Sequence, residues 1–140
     1  MRKFRRGERG FTLLELLVVL AIMGMLAAII APQVIRYLGS SRTQTAKVQI
    51  QYVMQGLELF RIDVGRYPTQ QEGLVALVNP TPTAPNWNGP YLKKEIPKDP
   101  WGTAYVYRAP GRNGGYEITS YGADGREGGE GDNADINSWE

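Results

Sequence analysis

From Phe11 to Ala31 the chain is apolar at nearly every position, interrupted only by Thr12 and Glu15. At a helical rise of about 1.5 Å per residue, a run of about 21 residues is enough to cross the hydrocarbon core of a bilayer. Beyond Pro32 the apolar pattern becomes periodic. Ala46, Ile50, Val53, Leu57, Phe60 and Val64 recur at alternating spacings of four and three, while Gln44, Lys47, Gln51, Gln55, Glu58 and Arg61 fall off that stripe. This is one apolar face of an amphipathic helix, read as a core face and too short to be a coiled coil. Pro32 has no N–H to donate to the Ala28 carbonyl, which predicts a local loosening or kink in a helix that continues past it. Gly65 and Pro68 supply the stop.

After the stop, Thr69 followed three residues later by Glu72 has the form of a capping box, with Leu74, Leu77 and Val78 giving an apolar side to a short helix. Proline, asparagine and glycine from Asn79 to Gly102 predict a long connecting loop, with Asp99-Pro100-Trp101-Gly102 as a turn. Trp87 and Trp101 are read as covers of a small core before sugar platforms. Ala104 to Arg108 and Tyr116 to Tyr121 are rich in β-branched and aromatic residues and flank Pro110-Gly111-Arg112-Asn113-Gly114-Gly115. That arrangement predicts a β-hairpin.

Charge orients the apolar run. Arg2, Lys3, Arg5, Arg6 and Arg9 precede it with Glu8 as the one acid. Basic flanks stay cytoplasmic, so the rest of the chain is expected on the far side. A cleaved secretory signal has the same layout, but Ile29 is bulky where such a cut wants a small residue, and Pro32 would follow the bond. Glu15 does not fit a plain anchor. An ionisable group in a membrane segment is costly and is by default a functional candidate, though near one end it can also snorkel.

The formal charge of +2 comes from sixteen basic and fourteen acidic residues. Without the five bases and one acid before Phe11 it becomes −2, so the basic excess is topogenic and nucleic-acid binding is not expected. The chain has no cysteine and no histidine, which excludes disulfides, thiol catalysis, the usual zinc sites and imidazole-dependent triads. No nucleophile and base stand out together, so an enzyme is not expected.

Gly10-Phe11-Thr12-Leu13-Leu14-Glu15 after a short basic leader resembles the processing site of the type IV pilin and pseudopilin family. The resemblance implies cleavage by a prepilin peptidase between Gly10 and Phe11, N-methylation of Phe11, and retention of the apolar helix. It also implies that Glu15 meets the terminal amine of a neighbouring subunit during assembly. The new amine on Phe11 would itself lie four residues from Glu15 on one helical face, so pairing within the chain is equally compatible with the spacing. Gly65-Arg66-Tyr67-Pro68-Thr69 with Glu72-Gly73-Leu74 resembles the major pseudopilin branch of type II secretion.

Between Tyr121 and Ile136, clustered carboxylates alternate with glycines that let backbone carbonyls turn inward, a composition suited to Ca²⁺. Asp124, Arg126 and Gly128 do not supply the alternating oxygen ligands of an EF-hand. The residues alone leave a metal loop and a solvated acidic loop both open. The resemblance implies a structural calcium, with Asp124 and Asp135 as side-chain ligands, the Tyr121 and Arg126 carbonyls as backbone ligands, and Asp132 as a further candidate.

The expected fold is α+β and type IV pilin-like: a long N-terminal helix, its first half transmembrane, packed on a small antiparallel β-sheet domain with a calcium-binding C-terminal loop. Residues 1–10 form the leader, 11–32 the transmembrane and filament-core helix, 33–64 its amphipathic continuation, and 65–140 a periplasmic globular domain. Glu15 and Pro32 are the assembly positions. The resemblance implies a subunit of a homo-oligomeric pseudopilus anchored in the inner membrane, with its N-terminus cytoplasmic. Its implied partners are minor pseudopilins, an inner-membrane assembly platform with its ATPase, and the prepilin peptidase. A type IV pilin or competence pseudopilin is the nearest alternative, disfavoured by the missing cysteines. A membrane-anchored periplasmic binding module or enzyme is the alternative of another class.

Overall fold

A computed structural model describes residues 10–140. The basic leader expected over residues 1–10, apart from Gly10, lies outside the described residues.

Helix α1 spans Leu13–Val64. It opens on a capping box that the sequence reading did not single out. The Thr12 hydroxyl oxygen accepts the Glu15 N–H at 3.2 Å, and the Glu15 carboxylate accepts the Thr12 N–H at 3.3 Å. Two of the donors that every helix start leaves unpaired are thereby satisfied. As expected, α1 continues through Pro32. It stops where Gly65 takes φ 85° and donates its N–H to the Arg61 carbonyl at 2.8 Å, a left-handed ending that glycine adopts without strain.

The described chain divides into two compact units, one ending at Tyr37 and one running from Leu38 to Glu140. In the first unit every large apolar side chain is exposed, from Phe11 at 87% to Val34 at 48%. An apolar surface of this extent requires a covering medium or partner chains. The helix is long and apolar enough to cross a membrane.

The second unit has its own core. Ala46, Ile50, Val53, Leu57 and Phe60, five of the six stripe residues, are buried, and Val64 packs against them from the margin. Full burial of one such aliphatic or aromatic side chain stabilises by about 1.5–3 kcal/mol. A three-stranded antiparallel sheet joins this core, with β1 (Val106–Arg108), β2 (Glu117–Ser120) and β3 (Ile136–Asn137) in that order. The expected hairpin is β1–β2, with Tyr107 opposite Ile118; β3 was not anticipated and pairs Ile136 with Ser120. Strand alternation buries Tyr107, Ile118, Ser120 and Ile136.

The segment between helix and sheet closes the core. Thr69 and Glu72 form the expected reciprocal bonds, at 2.7 and 3.3 Å, ahead of a single 3-10 turn over Leu74–Leu77 that buries Leu74 and Leu77. Trp87 donates its indole N–H to the Ala76 carbonyl at 2.7 Å and meets Tyr91 edge-on. Both Trp87 and Trp101 pack against the core. Gly56 is buried on α1, where a Cβ would come within 2.7 Å of Leu92 Cδ2, so this glycine admits the loop against the helix.

Candidate functional site

The sites expected from sequence fall into an amino-terminal group and an acidic loop. Gly10 and Phe11 precede the first turn of α1, and both are exposed. Among the described residues, a Cβ on Gly10 would meet nothing within 4 Å. The described residues therefore place no steric demand for glycine there. A requirement for a small residue would belong to whatever reads the Gly10–Phe11 bond.

Glu15 sits in the first turn of α1, where the helix macrodipole favours an anion. Its bond to the Thr12 N–H holds the carboxylate over the helix start, close in sequence to the amine that cleavage would create. The pattern Thr-x-x-Glu is the same capping signature as at Thr69 and Glu72, so this cap is legible in the sequence. Pro32 lies within α1, and its carbonyl accepts a bond from Arg36 Nε at 3.4 Å.

The acidic loop starts where β2 ends. Tyr121 leads into a 3-10 turn over Gly122–Asp124, and a second such turn covers Gly131–Asn133. The two segments touch backbone to backbone, since a Cβ on Gly122 would lie 2.8 Å from the Asp132 carbonyl oxygen. Gly122, with φ 64°, makes that approach possible. Asp124 Oδ1 accepts the Arg126 N–H at 3.1 Å, and Asp135 Oδ2 accepts the Gly128 N–H at 2.9 Å. Asp135 Oδ1 is buried and has no hydrogen-bond partner. This orphaned carboxylate oxygen is the feature of the loop that could accept a cation.

Asp132 is placed differently from Asp135. Its carboxylate lies against Gly39 of α1, where a Cβ would come within 2.8 Å of both of its oxygens. Among the described residues no three aspartate, glutamate, histidine or cysteine side chains gather closely enough to hold a metal. A hard cation in this loop would therefore depend on backbone carbonyls beside Asp124 and Asp135. Sequence reasoning also missed the basic neighbours of Asp135. A small cavity of about 130 Å³ is lined by Arg108, Arg112, Glu117, Tyr121, Glu127 and Asp135. Strand register sets Arg108 opposite Glu117, and Arg112 lies 3.9 Å from Glu127.

Comparison with known proteins covers both groups of residues. Residues 33–139 match the family model described as type II secretion system protein G, and residues 5–31 match the prokaryotic N-terminal methylation motif. The chain is 43% identical to type II secretion system core protein G of Pseudomonas aeruginosa, covering 97% of this chain and 98% of that one. It is 42% identical to the core protein G of Vibrio cholerae, covering 99% and 96%. In three dimensions it is similar to the crystal structure of the major pseudopilin from the type 2 secretion system of enterohaemorrhagic Escherichia coli. The TM-score is 0.58 with 32% identity, over 71% of this chain and 88% of that one.

Proposed function

The chain belongs to the type II secretion system protein G family, and from that premise we propose that it is processed, assembled and stabilised through the two groups of residues just described. It is a structural subunit of a pseudopilus serving protein secretion, anchored by one apolar helix. The observation that carries the reading is the match of both segments: a methylation motif on the exposed apolar helix and a protein G domain after it.

In this proposal a prepilin peptidase cuts Gly10–Phe11 on the cytoplasmic side and Phe11 is N-methylated. The C-terminal domain then lies in the periplasm. Subunits add head to tail, a contact that does not close and so makes a filament, with Glu15 of one subunit and the Phe11 amine of the next setting axial register. Minor pseudopilins, an inner-membrane platform and its ATPase are the proposed assembly partners. Calcium is the proposed structural ion, held by the Asp124 and Asp135 carboxylates with the Tyr121 and Arg126 carbonyls. Bound there, it would neutralise the loop's crowded carboxylates. Asp132 is assigned instead to seating the loop on α1.

Mass spectrometry of the membrane-extracted protein tests the processing step. The expected chain begins at methylated Phe11, and Gly10→Val leaves the leader attached. An amino terminus at Met1 or Pro32 in the unmodified protein would sink the assignment.

A further inference from the structure

Asp99 is a buried carboxylate, 4% exposed, and among the described residues no lysine or arginine lies within salt-bridge distance of it. Its charge is held by donors alone. Oδ1 accepts the N–H groups of Trp101 at 3.2 Å and Thr103 at 2.7 Å, which closes the Asp-Pro-Trp-Gly turn. Oδ2 reaches out of that turn and accepts the Ser120 hydroxyl at 2.7 Å.

Ser120 is fully buried at the end of β2, and its single proton is committed to Asp99. Its oxygen is then left as an acceptor, and it takes the N–H of Gly122 at 3.3 Å. Gly122 is the left-handed residue whose backbone packs on residues 132–134 and which follows Tyr121, the first proposed carbonyl ligand. The same turn touches the loop a second time, with Thr103 Oγ1 at 4.0 Å from where a Cβ of Gly125 would stand.

We infer that Asp99 is a positioning residue for the acidic loop, acting through Ser120 to fix the Gly122 turn and hold the loop in its cation-binding form. The inference rests on the calcium reading above and adds to it a carboxylate some twenty residues upstream that does not itself touch the ion. Charge and hydrogen-bond direction both matter. Asp99→Asn keeps the shape, but its oxygen stays with the two backbone N–H groups and its NH₂ turns to Ser120, so that bond reverses and the Ser120 proton loses its acceptor in a buried site. Ser120→Ala keeps the charge but removes the relay.

The test uses the full chain in detergent, with calcium affinity from calorimetry and hydrogen exchange read by mass spectrometry. Groups that orient metal ligands from outside typically change affinity 10–100-fold when removed, and a loss in about that range is expected for Asp99→Asn and Ser120→Ala. Exchange in chelator should quicken over residues 121–135 while β1 stays protected; a merely destabilised fold would quicken both. Unchanged affinity in both variants, or exchange that rises equally in loop and core, overturns the positioning role. If the unmodified protein binds no calcium, the metal reading fails. Exchange over 121–135 then decides the rest: selective quickening in Asp99→Asn sustains the loop-positioning role, and unchanged exchange ends it.

Discussion

At the scale of single residues, Glu15 has a capping role that its bonds to Thr12 show and a register role that is proposed for it. Its carboxylate completes a capping box with Thr12, and its charge lies at the end of α1 where a cleaved chain presents its amine. Glutamine preserves the first duty and removes the second, because a capping box accepts Glu or Gln at this position. Glu15→Gln is therefore expected to insert and be cleaved normally yet to give no filaments by electron microscopy of overproducing cells. Glu15→Val, which loses both, should behave the same way. Abundant filaments from Glu15→Gln would assign the residue to helix capping and deny it the register role.

At the scale of elements, the segment from Gly65 to Thr83 has almost no regular structure and is braced internally by one ion pair, beside the bonds of Tyr67, Pro68 and Gln70 to α1 and β1. Arg66 grips Glu72 through two bonds, at 2.6 and 2.9 Å, and its second amino group also reaches the Thr83 carbonyl at 2.9 Å. The Thr83 hydroxyl and the Thr69 N–H complete the shell around the Glu72 carboxylate. The Arg66 guanidinium, followed by these donors, holds the Glu72 carboxyl far below its ordinary value of 4.5. A carboxylate whose pKa is lowered by folding stabilises the fold above the unfolded value and loses that contribution as pH falls through the folded one. Glu72→Gln is thus expected to cost roughly 1.5–3 kcal/mol at neutral pH, in line with charged hydrogen bonds. The gap to the unmodified protein should narrow as pH drops below 4.5. Thermal melts at pH 7 and pH 2 check this, and a gap of equal size at both would show that charge is not what Glu72 contributes.

For the whole molecule, the buried apolar residues among those described all lie after Tyr37, in a small unit that carries the acidic loop between its last two strands. A domain of this size has little stability to spare, so an ion that binds only the folded form matters. At 100 times its dissociation constant such a ligand adds about 2.7 kcal/mol. A fragment beginning at Gln33 should therefore melt several degrees higher in calcium than in chelator. Asp124→Ala should melt at the lower temperature in both, and its secretion defect should follow its lost stability. Identical melting of the unmodified fragment with and without calcium would reduce the loop to a solvated acidic turn.

The sequence by itself determined what contiguous residues determine. An apolar run, a stripe at spacings of four and three, a glycine stop and a short motif around Gly10 and Phe11 are local patterns, and α1, its core face and the family could be read from them. Tertiary structure alone decided which distant residues meet. β3 is two residues long and exists because Ile136 finds Ser120 across the acidic loop. Asp132 sets its carboxylate against Gly39 of the distant helix while its backbone packs on Gly122. Asp99 binds Ser120 across twenty-one positions of chain, and Asp135, with its unpaired oxygen, borders the same small cavity as Arg108 and Arg112. Strand register and loop closure set these meetings, and no window of adjacent residues encodes either, since both depend on how the whole core packs.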